Sequence, residues 1–164
     1  MTGPNVERFV LAQDDREIFA QALAEIHAGR KTSHWMWFVF PQVEGLGRSA
    51  IARNYALSGL EEARDYLGHP VLGPRLRQCC EAVLAVEDAS AEQVFGSVDA
   101  MKLRSSMTLF ARAAPDEPLF GEVLEKFFGG RADAGHGQVG AHRVTTTAAV
   151  RGARRGQARA RARR

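Results

Sequence analysis

Apolar residues recur along this chain at helical spacing, and nowhere do β-branched and polar residues alternate over the six or so positions that a half-buried strand needs. Phe19, Ala22, Leu23 and Ile26 form one stripe, and Leu60, Ala63 and Leu67 form a second. Leu72, Leu76, Cys79 or Cys80, and Val83 make a third; Leu103, Met107 and Phe110 a fourth; Phe120, Val123, Leu124 and Phe127 a fifth. Helix-start signals stand before them: Asp14-Asp15-Arg16-Glu17, Ser58-Gly59-Leu60-Glu61 and Ser90-Ala91-Glu92-Gln93 have the form of capping boxes, Pro74 suits a first turn, and Asp99 suits an N-cap. Gly29, Gly68, Gly96 and Gly129 supply stops, and no Asn-Gly or Asp-Gly hairpin turn occurs. The pattern predicts an all-α fold, a single compact multi-helix domain.

Charge divides the chain in two. All 19 acidic residues lie between Glu7 and Asp133, against 14 Lys and Arg in that stretch, a net charge of −5. From Ala134 to Arg164 there are eight arginines and no acid, a net charge of +8. That second segment has no aromatic residue and few large apolar ones, so it cannot bury enough surface to offset its chain entropy. The expectation is a helical domain over 6–133 and a disordered Arg-, Gly- and Ala-rich tail over 134–164. Electrostatics would let such a tail contact nucleic acid or acidic lipid weakly.

Other features narrow the class. The longest apolar run, Trp35 to Phe40, stops at Pro41 and is far short of the roughly 18 residues that span a bilayer. The start of the chain carries no basic-then-apolar signal, which makes a cytoplasmic location the default. Cys79 and Cys80 are adjacent on a predicted helix and read as small core residues in a reducing compartment. No spacing of His and Cys indicates a metal site, and no cofactor is implied.

The segment Arg30-Lys31-Thr32-Ser33-His34-Trp35-Met36-Trp37-Phe38-Val39-Phe40-Pro41-Gln42 concentrates the candidate chemistry. Trp37 to Phe40 reads as a short helix capped by Ser33, or as a buried strand, and its aromatics serve first as core bulk. The polar flanks differ: Arg30, Lys31, His34 and Gln42 beside Trp35 and Trp37 suit an anionic or planar ligand. Gly45-Leu46-Gly47-Arg48-Ser49 leads into a helix starting at Ser49, a place where backbone N–H groups hold phosphate. Further on, Asp99, Lys102 and Ser106 share a helix face, as an ion pair with small packing residues or as a serine–lysine pair. His27 in the last turn of a helix and His69 before Pro70 read as structural.

These same residues carry a resemblance. Arg8-Phe9-Val10-Leu11-Ala12-Gln13, Gly29-Arg30-Lys31, His34 through Gln42, Leu46-Gly47-Arg48-Ser49 and Lys102 through Phe110 resemble a widespread bacterial family, the domain of unknown function eighteen-ten. The resemblance runs from about Val6 to Asp133. It implies an all-helical single domain and brings no established activity with it. The family sometimes bears the label calpastatin, which would imply a calpain inhibitor. Calpastatins are disordered repeat proteins, whereas this chain has no internal repeat and has capped amphipathic helices, so the label is not carried over. After Asp133 the family's short Thr-Leu-containing apolar end is replaced here by the Arg-rich tail, as a shifted reading frame or a divergent extension would produce.

The residues support three readings. The first is a binding domain for a small anionic ligand, nucleotide-like or phosphorylated, framed by Arg30, Lys31, His34, Trp35, Trp37 and Gln42 with Lys102 and Ser106 opposite. The second is a hydrolase-type enzyme using His34 as acid and base, with Asp99 or Ser106 within hydrogen-bond reach. The third is a protein-interaction module with no small-molecule site.

Overall fold

A computed structural model of the protein describes residues 6–131, and the expected tail at 134–164 lies outside them. The described residues form α1 (Glu7–Asp14), a 3-10 turn (Asp15–Glu17), α2 (Ile18–His27), α3 (Met36–Val39), α4 (Ala50–Asn54), α5 (Leu60–Gly68), α6 (Leu72–Ala85), α7 (Ala91–Phe95), α8 (Ser97–Ala113) and α9 (Leu119–Phe128). Extended pairing among them is confined to one isolated bridge, Val43 with Leu57. The fold is all-α, as the stripes require. None of these helices is long and apolar enough to cross a membrane.

The longest helix, α8, is the centre of the packing. Ser105 to Phe110 are buried without interruption, because α5, α7 and α9 cover it on different sides. A second layer forms where α6 packs against α2, α5 and α9. Leu76, Cys79, Cys80 and Val83 of α6 face this core, with the Cys80 sulfur 3.6 Å from the Met107 sulfur. Burial pushes both cysteine thiols up, that of Cys79 to about 12, so they pack as apolar groups.

Helix boundaries depart from the sequence signals in four places. At Asp14-Asp15-Arg16-Glu17 there is no capping box: Arg16 and Glu17 take left-handed φ values of 50° and 57°, α2 starts at Ile18, and Asp14 pairs with Arg75 at 2.9 Å. Ser58 is not the cap of α5. Gly59 holds that position, and the Glu62 carboxylate accepts from the Ser58 N–H at 3.0 Å. Asp99 lies inside α8, which begins after Gly96, and its carboxylate is taken by two lysines. Ser33 does not cap α3 but turns its hydroxyl to Glu25. The box at Ser90 forms as expected, with both reciprocal hydrogen bonds, and Ser49 caps α4 by accepting from Ala52 N–H at 3.1 Å.

Polar side chains join what the apolar stripes only bring near. Buried Gln13 on α1 donates from Nε2 to the Phe38 carbonyl (2.7 Å) and the Tyr66 hydroxyl (3.0 Å), and its Oε1 accepts from Arg75 (3.2 Å). His69 is structural in a definite way. Its Nδ1 accepts from the N–H groups of Val71 (3.1 Å) and Leu72 (3.3 Å) at the start of α6, so Nε2 carries the proton that reaches Glu7 at 2.7 Å.

One carboxylate positions the loop that leads to the site. α2 closes in a Schellman turn, with Gly29 at φ 75° donating to Ile26 O (2.9 Å) and Arg30 N–H donating to Glu25 O (3.1 Å). The chain then folds back onto Glu25. Its Oε1 accepts from the N–H groups of Thr32 (2.8 Å) and Ser33 (3.1 Å) and from Trp35 Nε1–H (2.8 Å), and its Oε2 accepts from Ser33 Oγ (2.6 Å). Burial alone would raise this carboxyl, but the four donors outweigh it and bring it from an ordinary 4.5 down to about 2.

Two outcomes follow from these contacts. A Cβ on Gly73 would stand 2.1 Å from the Leu67 carbonyl oxygen, where α6 starts against the end of α5. Gly73→Ala therefore separates the two helices, and urea titration should show a loss of at least about 3 kcal/mol; a loss under 1 kcal/mol would contradict the close approach. The second concerns pH. A carboxyl depressed in the folded state contributes stability that is full above its unfolded value and fades as pH falls below it. Glu25→Gln should cost about 1–3 kcal/mol at pH 7. The gap between wild type and variant should narrow as pH drops from 5 to 3, and a constant gap across that range would rule out the assignment.

Candidate functional site

Seven of the eight expected site residues separate into three groups, and Lys31 stands apart from them. Arg30 and His34 are exposed on the loop after α2. Trp35 and Ser106 are sealed in the core at 1% and 0% exposure, and Ser106 Oγ finds no hydrogen-bond partner among the described residues. Trp37, Gln42 and Lys102 come together. They line a groove of about 500 Å³ between the first half of α8 and the segment from α3 to α4.

The groove is built from both directions. On one side, the chain after α3 is fixed by backbone pairing: Leu57 N–H donates to Gln42 O and Glu44 N–H to Leu57 O, both at 2.8 Å. This brings Gln42, Leu46, Gly47, Arg48, Ser49 and Ala52 to one wall. On the other side, α8 contributes Val98, Met101, Lys102 and Ser105. Val98 and Met101 remain 66% and 69% exposed, an unusual placement for large apolar side chains one turn apart. The lining thus holds two cations, Arg48 and Lys102, and no carboxylate. A second depression of about 360 Å³ differs, since its lining holds Glu44 and Glu62 beside Arg8 and Arg53.

Lysine 31 lies behind the groove rather than in it. Its backbone N–H donates to Val94 O at 2.7 Å, its Nζ donates to Ser33 O at 2.5 Å, and its ammonium stands 5.1 Å from the Trp35 ring centre. The same Nζ lies 2.7 Å from Asp99 Oδ2, and Lys102 Nζ lies 3.1 Å from Asp99 Oδ1 and 4.3 Å over the Trp37 ring. Burial would raise the Asp99 carboxyl, but hydrogen bonds and charge from the two ammoniums hold it below its usual range. Asp99 is thereby locked as a carboxylate. The Asp99–Lys102 pairing at i, i+3 was legible in the sequence; the arrival of Lys31 from the loop was not.

Several lining residues escaped the sequence reading. Val98, Met101 and Ser105 follow i, i+3, i+7 spacing, a second stripe on α8 beside the core stripe of Leu103, Met107 and Phe110. Two large apolar residues one turn apart, Val98 and Met101, off the core stripe of the same helix were the available signal. Among the described residues no group of three or more His, Cys, Asp or Glu gathers to hold a metal ion.

Comparison with known proteins adds identity to this geometry. Among solved structures, the chain is similar to the conserved hypothetical protein Rv1873 from Mycobacterium tuberculosis, with 49% identity, coverage of 79% of this chain and 91% of that one, and a TM-score of 0.76. No curated protein matches it. The model of the family described as "Protein of unknown function (DUF1810)" matches residues 4–138, which take in every helix among the described residues and both walls of the groove. On that match the chain belongs to the DUF1810 family.

Proposed function

We propose that the protein is a binding domain for a small anionic ligand, nucleotide-like or phosphorylated, and that the groove beside α8 is its site. The observation that carries this reading is the lining: two cations without a carboxylate, next to a tryptophan face and the exposed apolar side chains of Val98 and Met101. Lys102 and Arg48 suit the anion, while Trp37, Leu46 and Met101 suit a planar or apolar body. Gln42 offers one donor and one acceptor to a polar edge.

The hydrolase reading has less support. It needs His34 within hydrogen-bond reach of Asp99 or Ser106, and among the described residues no such bond exists. Asp99 is occupied by two lysines, and Ser106 is closed off from solvent. The exposed Val98 and Met101 favour one other reading, a protein-interaction surface, which predicts no response to any small anion.

Thermal shift against adenosine monophosphate, adenosine, glucose 6-phosphate and inorganic phosphate separates these readings. A ligand at ten times its Kd stabilises by about 1.4 kcal/mol, a rise in Tm of about 3–5 °C for a domain of this size. The phosphorylated compounds should give such a rise and adenosine should not. Lys102→Gln and Trp37→Ala should abolish it, and His34→Ala should keep it. No shift with any of the anions at millimolar concentration would end the binding reading; loss of the shift in His34→Ala alone would favour the hydrolase.

A further inference from the structure

The charge that the groove presents is set by residues behind it. Resting on the anion-binding reading above, we infer that Lys31 is the positioning residue that frees the charge of Lys102 for a ligand, by sharing the Asp99 carboxylate between them. Asp99 meets the two ammoniums through different oxygens, Lys31 at 2.7 Å on Oδ2 and Lys102 at 3.1 Å on Oδ1. One negative charge against two positive ones leaves a surplus of +1 in the triad. The surplus has one outlet. The Lys31 side chain is 7% exposed, enclosed by the Ser33 carbonyl and the Trp35 face, whereas the Lys102 side chain is 20% exposed and lines the groove.

Geometry also fixes which lysine Asp99 favours. The shorter contact is to Lys31, and the backbone of Lys31 is held by the Val94 carbonyl while the loop just after it is held by Glu25. Its ammonium therefore stays in place without help from Lys102. In a partly desolvated setting the attraction between Asp99 and one ammonium is strong, so a lone Lys102 would be neutralised by its own i, i+3 partner. Lys31 prevents this from a position where it touches no ligand. It follows that anion affinity tracks the summed charge of the three residues: +1 in the wild type, 0 in Lys31→Gln, +2 in Asp99→Asn, and +1 again when both substitutions are made.

Calorimetric titration of the full chain with adenosine monophosphate at low salt tests the count. Relative to wild type, Lys31→Gln should bind about tenfold more weakly, Asp99→Asn about tenfold more tightly, and the double variant within about threefold. Lys31→Arg should stay close to wild type. A merely structural role for Lys31 would leave the double variant as weak as Lys31→Gln, and that result overturns the inference, as would Lys31→Gln binding like wild type. Should Lys31→Gln fail to fold, Asp99→Asn decides: tighter binding supports the charge count, and equal or weaker binding rejects it. Failure of the wild type to bind adenosine monophosphate or any other anion removes the underlying reading, a result distinct from wild-type binding that ignores the substitutions.

Discussion

Much of the core and of the candidate site depends on the carboxylate of Glu25. Four donors from one short stretch converge on it, two of them backbone N–H groups that a loop would otherwise give to water. A carboxylate that accepts this many hydrogen bonds is worth more than its partners separately, because each donor orders the chain for the next. The consequence spreads in two directions. Trp35 is drawn into the core against Phe40 and Phe95, with ring centres 6.3 and 6.4 Å away. Lys31, just before the clamped stretch, is held where its ammonium meets Asp99 of α8. Core and groove thus share one origin in a turn of α2.

The pairing of Lys31 with Asp99 shows how one carboxylate can serve a buried and a partly exposed ammonium together. An ammonium taken out of water needs compensation, and Lys31 has it from a carboxylate, a carbonyl and an indole face. The cost of placing it there is met locally, with no partner drawn from the groove. Lys102, by contrast, keeps part of its surface in solvent and stands over the half-buried Trp37. Of two chemically identical side chains, one is a fixed component of the scaffold and the other is available to what lies outside.

Helical stripes and glycine stops made the fold class and most of the later helices legible, because burial of an apolar face leaves a periodic trace. What the sequence hid has a common cause. Helix α1 has only Phe9 as an apolar residue in the core, and its other buried residue, Gln13, is held by partners on α3, α5 and α6 that no local pattern announces. The capping signals at Asp14, Ser58 and Asp99 failed because other side chains claimed the polar groups involved: Arg75 from across the fold, Glu62 four residues on, and Lys31 from the loop together with Lys102 at i, i+3. Trp37, Gln42 and Lys102, singled out in the sequence by type, come together at the groove. The burial of Trp35 and Ser106 and the pairing of Lys31 with Asp99 were not legible, since a cation, an indole and a hydroxyl look alike in sequence whether they face solvent or the core.

The aromatic string itself shows how a four-residue helix resolves this ambiguity. On a continuing helix Trp37 and Phe40 would share a face, being three positions apart. Helix α3 ends at Val39, and Phe40 leaves it with φ −125° and ψ 73°. That departure sends Phe40 into the core, fully buried, while Trp37 stays at the groove. Phe38 takes a third direction, edge-on to Tyr55 at 4.7 Å, with its carbonyl accepting from Gln13. One turn of helix is too short to impose a single inner face, so adjacent aromatics reach three different surroundings. A longer helix would have buried the string on one side; the break at Phe40, before Pro41, is what leaves Trp37 beside Lys102 and places Gln42 on the opposite wall.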